Sequence, residues 1–253
     1  MNTQEDLIQY LLLLGDTALV QGQRLCQWCG RAPAIEEELA LMNVGLDLVG
    51  QARNWLEYAA ELLNDGRDAD DLAFRRDERE YRNLLLVEQP NGDFAVTMTK
   101  QFLYDAWHYQ VLEGLCTSSD TRIAGIAAKS LKEVTYHLRR SGEWVQRLGD
   151  GTEESRRRML EAIPQVWRFT VEMLSGSDGE TRLARTGFAA DPARVAAGWS
   201  QQVATVFASV ELPVPAAANY FYLSGRRGLH TEHLGLLLAE MQYLPRAYPD
   251  ATW

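Results

Sequence analysis

Apolar side chains recur along this chain at helical intervals. Over residues 5–29, Leu7, Leu11, Leu14, Ala18, Gln21, Leu25 and Trp28 are separated alternately by four and three positions. That spacing lines one face of an α-helix. Over residues 36–64, Leu39, Met42, Leu46, Val49, Arg53, Leu56, Ala60 and Leu63 repeat it with one arginine in the seam. Between the two runs, Cys29-Gly30-Arg31-Ala32-Pro33 is a helix stop followed by a restart. Leu12, Leu13, Leu19 and Val20 lie off the first seam. Apolar surface is therefore left over when one face is buried, which predicts a protein interface on the first two helices.

A polar stretch from Asn64 to about Glu80 follows as a connection. Gln89-Pro90-Asn91-Gly92-Asp93 reads as a turn ending in an N-cap at Asp93. A third helix is predicted over about 93–116. A fourth starts at Ser118-Ser119-Asp120 and stops at Leu148-Gly149-Asp150-Gly151. A further helix covers about 153–174, with a kink at Pro164, and Ser175 to Gly179 is a loop. Asp191-Pro192 supplies an N-cap and first-turn proline for a helix to about Val210. Leu212-Pro213-Val214-Pro215 is extended, and a last helix runs from about Thr231 to Tyr243. No sustained strand alternation occurs. The fold class is all-α. Two helix–loop–helix halves joined by a longer connection match a ferritin-like four-helix bundle. The expectation is a single domain, its core bundle over about 5–150 and a helical extension over 151–253.

With 253 residues, 46% apolar and 24% charged, the chain has ample material for a core and is not disordered. The net charge of −10 argues against nucleic acid as a main ligand, which needs a basic face. It leaves room for a local basic pocket that meets a phosphorylated small molecule. Three cysteines, Cys26, Cys29 and Cys116, are too few for a disulfide framework and suit a reducing cytoplasm. The N-terminus lacks the basic region of a secretion signal, and the run Tyr10 to Leu14 is far short of a membrane span.

The ferritin-like layout brings a known chemistry into question. Its di-metal sites take a Glu from one helix of each half and a Glu-x-x-His from the next, all pointing inward. Carboxylates and imidazoles at i, i+3 share a helix face and suit iron or manganese. Here the acids at matching depths are Asp16, Asp47, Asp105 and Glu133, one per helix. The histidine positions fail. Gly50 and Gln51 follow Asp47; Tyr136 and His137 follow Glu133. Three of the four acids are aspartates, with a shorter reach. These residues read as degenerate remnants of a di-metal site, and no metal-binding or catalytic residue is assigned. Asn43, Asp47, Gln51 and Asn54 form one stripe that equally suits a solvated face, and Asp16 equally suits a salt bridge, to Arg24 for example. Asp105 differs, because it lies within the apolar stripe Met98, Phe102, Tyr109 and Leu112, and an unpaired buried carboxylate is costly. The preferred reading is a buried polar network of Asp105, His108, Glu133 and His137 that holds helices in register.

Other candidates carry less. Cys26-Gln27-Trp28-Cys29 spells C-x-x-C without a second pair, so helix packing is the simpler reading. His230 and His233 sit at i, i+3 without a third ligand and suit a local cap or ion pair. Arg156-Arg157-Arg158 reads as a solvated face. Gly225-Arg226-Arg227-Gly228 suits either a phosphate or a contact between subunits.

Several longer stretches carry a resemblance. Leu25 to Pro33, Asn43 to Arg53 and Asn83 to Ala95 resemble the C-subunit family of bacterial phenylacetyl-CoA epoxidases. So do Asp105-Ala106-Trp107-His108, Tyr136-His137-Leu138-Arg139, Arg147 to Thr152 and Gly228 to Gly235. The likeness covers essentially the whole chain. It implies a ferritin-like, non-catalytic structural subunit of a cytoplasmic multicomponent monooxygenase. The resemblance further implies a tight complex with a paralogous A subunit that carries the diiron centre. A small B subunit and an NADPH-dependent reductase with flavin and iron–sulfur centres make up the rest of the assembly. The product that the resemblance implies is a ring 1,2-epoxide in aerobic phenylacetate degradation. No cofactor is expected in this chain. The alternative from another class is a stand-alone ferritin-like metalloenzyme or metal-handling protein with an atypical site.

Overall fold

A computed structural model describes residues 3–216, 224–249 and 251. Among them there is no β-strand; Ser224 and Leu229 form one isolated antiparallel bridge. None of the described helices is long and apolar enough to cross a membrane. The chain divides into two compact units, one made of Met1–Pro90 with Tyr222–Trp253, the other of Asn91–Phe221.

The first unit is built on α1 (Thr3–Cys26) and α2 (Ile35–Leu63). They run antiparallel, since Gly15 of α1 faces Leu56 of α2 while Gly22 faces Gly45. The crossing is close: a Cβ on Gly22 would lie 3.0 Å from the Gly45 carbonyl oxygen. Glycine on both helices is what lets the backbones approach. Residues 27–30 finish α1 in tight turns that end at Gly30, whose φ of 73° suits glycine. After α2 come α3 (Ala69–Phe74), a 3-10 turn over Glu78–Glu80 and α4 (Leu85–Glu88). The C-terminal helices α11 (Glu232–Met241) and α12 (Tyr243–Ala247) belong to this same unit.

The α1 seam is buried as expected through Leu25, but so are Leu12, Leu13, Leu19 and Val20. The leftover apolar surface expected on α1 does not exist, because the chain covers this helix nearly all round. The α2 seam needs the opposite correction. Its buried face is Leu41, Val44, Leu48, Ala52, Trp55 and Ala59, whereas Leu39 and Leu46 are 59% and 62% exposed. Two apolar stripes compete for the interior on α2. The inner one carries Gly45, which lets α1 approach; the outer one is left in solvent.

In the second unit α5 (Phe94–Leu115) packs against α6 (Thr121–Gly149), α7 (Glu153–Trp167) and α10 (Pro192–Ala208). Enclosure explains why α5 lacks a polar face. The caps expected at Asp93 and Asp191 form, and Asp120 of the expected Ser118-Ser119-Asp120 start caps α6: each carboxylate accepts backbone N–H of the first turn. α6 shows clean one-sided patterning, burying Ile123, Ala127, Ser130, Val134, His137, Ser141 and Val145. The expected helix over 153–174 is two: α7 retains Pro164, and the chain breaks at Arg168–Phe169 before α8 (Thr170–Ser175). The expected loop after Ser175 starts α9 (Asp178–Arg185), whose N-cap Ser177 accepts from the Glu180 N–H.

Candidate functional site

Each residue of the degenerate metal set lies within one unit. In the first, Asp16 is fully buried on α1. Its two oxygens accept a fork from Arg76: Nη2 bonds Oδ1, and Nη1 lies 3.0 Å from Oδ2. The Arg82 backbone N–H adds a third bond at 2.8 Å. Arg76 is itself buried and stacks over the Tyr81 ring at 4.4 Å. Burial works against its charge, but the Asp16 carboxylate outweighs that and keeps its pKa above the ordinary value. The partner is therefore Arg76, not Arg24. Arg24 instead donates to the Glu88 carbonyl oxygen at 3.1 Å and to that of His233 at 3.2 Å. On α2, Asp47 is half-buried, Gly50 is exposed and Gln51 is buried.

A second buried carboxylate lies on α4. Glu88 accepts from Asn83 Nδ2 at 2.9 Å, the Thr231 N–H at 2.6 Å, the Thr231 hydroxyl at 2.7 Å and His230 Nδ1 at 2.8 Å. His230 Nε2 lies 3.1 Å from the Tyr81 carbonyl oxygen. Both ring nitrogens thus face acceptors, an arrangement that the doubly protonated imidazolium satisfies. Burial opposes that charge, and the Glu88 bond overrides it, so the His230 pKa is raised. The His233 ring, by contrast, lies 3.8 Å from the carboxylate of its neighbour Glu232.

In the second unit Asp105 is fully buried. It accepts from Gln101 Nε2 at 2.6 Å and Ser141 Oγ at 2.8 Å, two donors the sequence reading passed over. Burial pushes its pKa up to about 6, against the pull of His137, Ser141, Gln101 and Arg140. His108 is buried, and its Nδ1 has no hydrogen-bond partner among the described residues. Burial, with His137 nearby, drives its pKa down to about 3, so it is a neutral ring packed on Tyr104 at 5.0 Å. His137 is buried, whereas Glu133, expected to be buried, is only half-buried and Tyr136 is 45% exposed. α6 turns these two positions away from its inner stripe.

This donor set does not fit two iron ions. Arg76 already places a positive charge on both oxygens of Asp16, Gly50 has no ligating side chain, and Tyr136 is 45% exposed. Among the described residues no three His, Cys, Asp or Glu side chains gather as a metal site.

The raised Asp105 pKa has a measurable consequence. The folded state holds the proton up to about pH 6, the unfolded state only to about pH 4. Stability from this group is full below pH 4 and falls as pH rises through 6, by about 2–3 kcal/mol in all. Asp105→Asn is expected to remove that component of the slope. Urea denaturation of both proteins from pH 4 to 8 checks it; parallel curves contradict it.

The profile of the phenylacetic acid catabolic protein family matches residues 1–253. The chain belongs to this family. The C subunit of 1,2-phenylacetyl-CoA epoxidase from Escherichia coli (strain K12) is 50% identical over 247 residues, 98% of this chain and 99% of that one. The resemblance read from the sequence therefore holds along the full length, and it places this chain in phenylacetate catabolism.

The sequence reading of this family member missed Arg76 and Glu88. Glu88 had a signal: it ends the apolar run Leu84-Leu85-Leu86-Val87, so burial, and hence partners, followed. Arg76 lies in a polar stretch and had none. Arg156, read as solvated, ties loop carbonyls instead, at Gly149 (2.8 Å) and Val210 (2.9 Å); Arg157 and Arg158 pair with Glu154. Cys26 packs its sulfur toward Gly45, while Cys29 is exposed. The Gly225–Arg227 turn packs so closely that a Cβ on Gly225 would meet the Asn83 carbonyl.

Proposed function

We propose that this chain is the non-catalytic, structural C-type subunit of a cytoplasmic phenylacetyl-CoA 1,2-epoxidase. In this reading its long helices form a ferritin-like four-helix bundle that binds and supports the A subunit. The diiron centre belongs to that A subunit, the flavin and iron–sulfur centres to the reductase, and the complex also holds a small B subunit. The observation that carries the reading is the Arg76 fork on Asp16: a position suited to a metal carboxylate is filled by a guanidinium. The likeness to the E. coli protein supports it.

The partner face is the outer stripe of α2. Ile35, Leu39 and Leu46 are 69%, 59% and 62% exposed, and Met42 and Val49 on the same stripe are half-buried. These positions fall on one side of the helix, and Gly50 leaves open space beside them. A stripe of this kind suits the flat, apolar contact of an obligate interface. Replacing both Leu39 and Leu46 with glutamate is expected to abolish co-purification with the A subunit and epoxidation together, while circular dichroism and melting stay unchanged. His137→Ala, in contrast, should alter turnover only as far as it disturbs folding or assembly. Lost turnover in a fully assembled His137→Ala complex would overturn the reading. So would about two irons bound per chain expressed alone, which the stand-alone metalloenzyme requires.

A further inference from the structure

A cleft of about 450 Å³ opens in the first unit where α3 faces α11, α12 and the residues after α12. Its size falls within the range of ligand-sized pockets. Its floor is apolar: Phe74 and Met241 are half-buried, while Leu244 and Tyr248 remain 48% and 59% exposed. Its rim is acidic, with Asp68, Asp70, Asp71 and Glu240 against the single cation Arg75. Arg75 is already neutralised by Asp71 at 3.1 Å and bonds the Pro249 carbonyl oxygen at 3.3 Å. Asp68 and Asp71 cap α3. Asp70 and Glu240 are exposed, with longer-range attraction from Arg53 on Asp70 and from Arg24 on Glu240. The walls are held from behind. Gln242 Nε2 donates to the carbonyl oxygens of Arg76 at 3.0 Å and Ala73 at 3.3 Å, and Arg246 Nη2 to that of Arg75 at 3.2 Å.

We propose that this cleft docks an arginine-bearing, apolar segment of a partner protein. Charge complementarity selects the occupant. Two exposed carboxylates line a cleft whose apolar floor carries an exposed tyrosine ring. A guanidinium satisfies both features, pairing with carboxylates and stacking on an aromatic face, while its flanking apolar residues cover Leu244 and Phe74. A preformed cleft lowers the ordering cost of such binding. The site is separate from the α2 stripe and does not depend on which protein covers that stripe.

The test uses the full chain and fluorescein-labelled pentapeptides of alternating leucine and arginine, or leucine and glutamate, read by anisotropy. The arginine peptide is expected to bind and the glutamate peptide not to. Asp70→Asn with Glu240→Gln should weaken the arginine peptide about tenfold or more. Leu244→Gln should weaken it as well, a loss that charge attraction alone does not produce. Circular dichroism confirms that each variant is folded. No binding of the arginine peptide at millimolar concentration overturns the proposal. So does equal binding of both peptides, or an affinity that either set of substitutions leaves unchanged. An A-subunit complex that assembles normally in the Asp70→Asn, Glu240→Gln variant leaves the structural-subunit reading intact, so the two fail separately.

Discussion

Replacing Asp16 with alanine is expected to destabilise the first unit by about 3–5 kcal/mol, because it strands a charged guanidinium in the interior. In thermal unfolding this is a fall of roughly 6–20 °C. Arg76 commits its donors to Asp16 and to the carbonyl oxygens of Leu72 and Glu80, so no water shell replaces the lost carboxylate. The reciprocal control is Asp16→Leu combined with Arg76→Met. Removing both charges at similar volume should recover most of the loss, since a buried pair is costly to break yet often neutral to replace whole. If the double variant is no better than Asp16→Ala alone, the pair is not the source of the effect. A ligand role for Asp16 predicts instead a change in bound metal with little change in melting.

Glu88→Ala is the second large effect, again about 3–5 kcal/mol. It frees four donors at once, His230 Nδ1 among them. The pH dependence follows from the raised His230 pKa. A histidine held above its unfolded value of about 6.5 contributes fully below that pH. The contribution is lost as pH rises through the higher folded-state value. The wild-type protein should therefore lose stability on the alkaline side of pH 6.5, and His230→Gln should lose less across the same range. Denaturant melts at intervals from pH 6 to 9 measure both curves. Identical slopes would show that His230 is neutral in the fold.

The parts of the fold that the sequence made legible are those where one physical signal acted alone. Helix starts at Asp93, Asp120 and Asp191 were readable because a short carboxylate before a helical run has one main use, accepting first-turn N–H groups. α6 was readable because only one of its faces is apolar. α2 was misjudged at its N-terminal half because it carries two apolar stripes, and periodicity does not say which one meets the interior. α1 was misjudged because periodicity reports a seam even when a helix is covered on every side. α9 stayed hidden because it is only eight residues long and carries Gly179 in its first turn, just after Ser175-Gly176-Ser177. At the candidate site, the absence of histidine at Gly50 and Tyr136 was readable residue by residue. The replacement chemistry was not. Arg76 meets Asp16 across 60 positions of sequence, and Thr231 meets Glu88 across 143. No local pattern records such pairings.

That last distance bears on how the protein is made. The first unit is interrupted: the chain leaves it after Pro90, builds all of the second unit, and returns at Tyr222. The ribosome therefore delivers Asn91–Phe221 in one continuous piece, while the first unit waits for its closing segment. Thr231 is synthesised 143 residues after Glu88, roughly 7–30 s later at ordinary elongation rates. Throughout that interval Glu88 lacks two of its covering residues, and the apolar helices around it lack α11. Nascent chains paused or truncated inside the second unit thus carry an unfinished first unit, which makes them natural clients for chaperones and proteases.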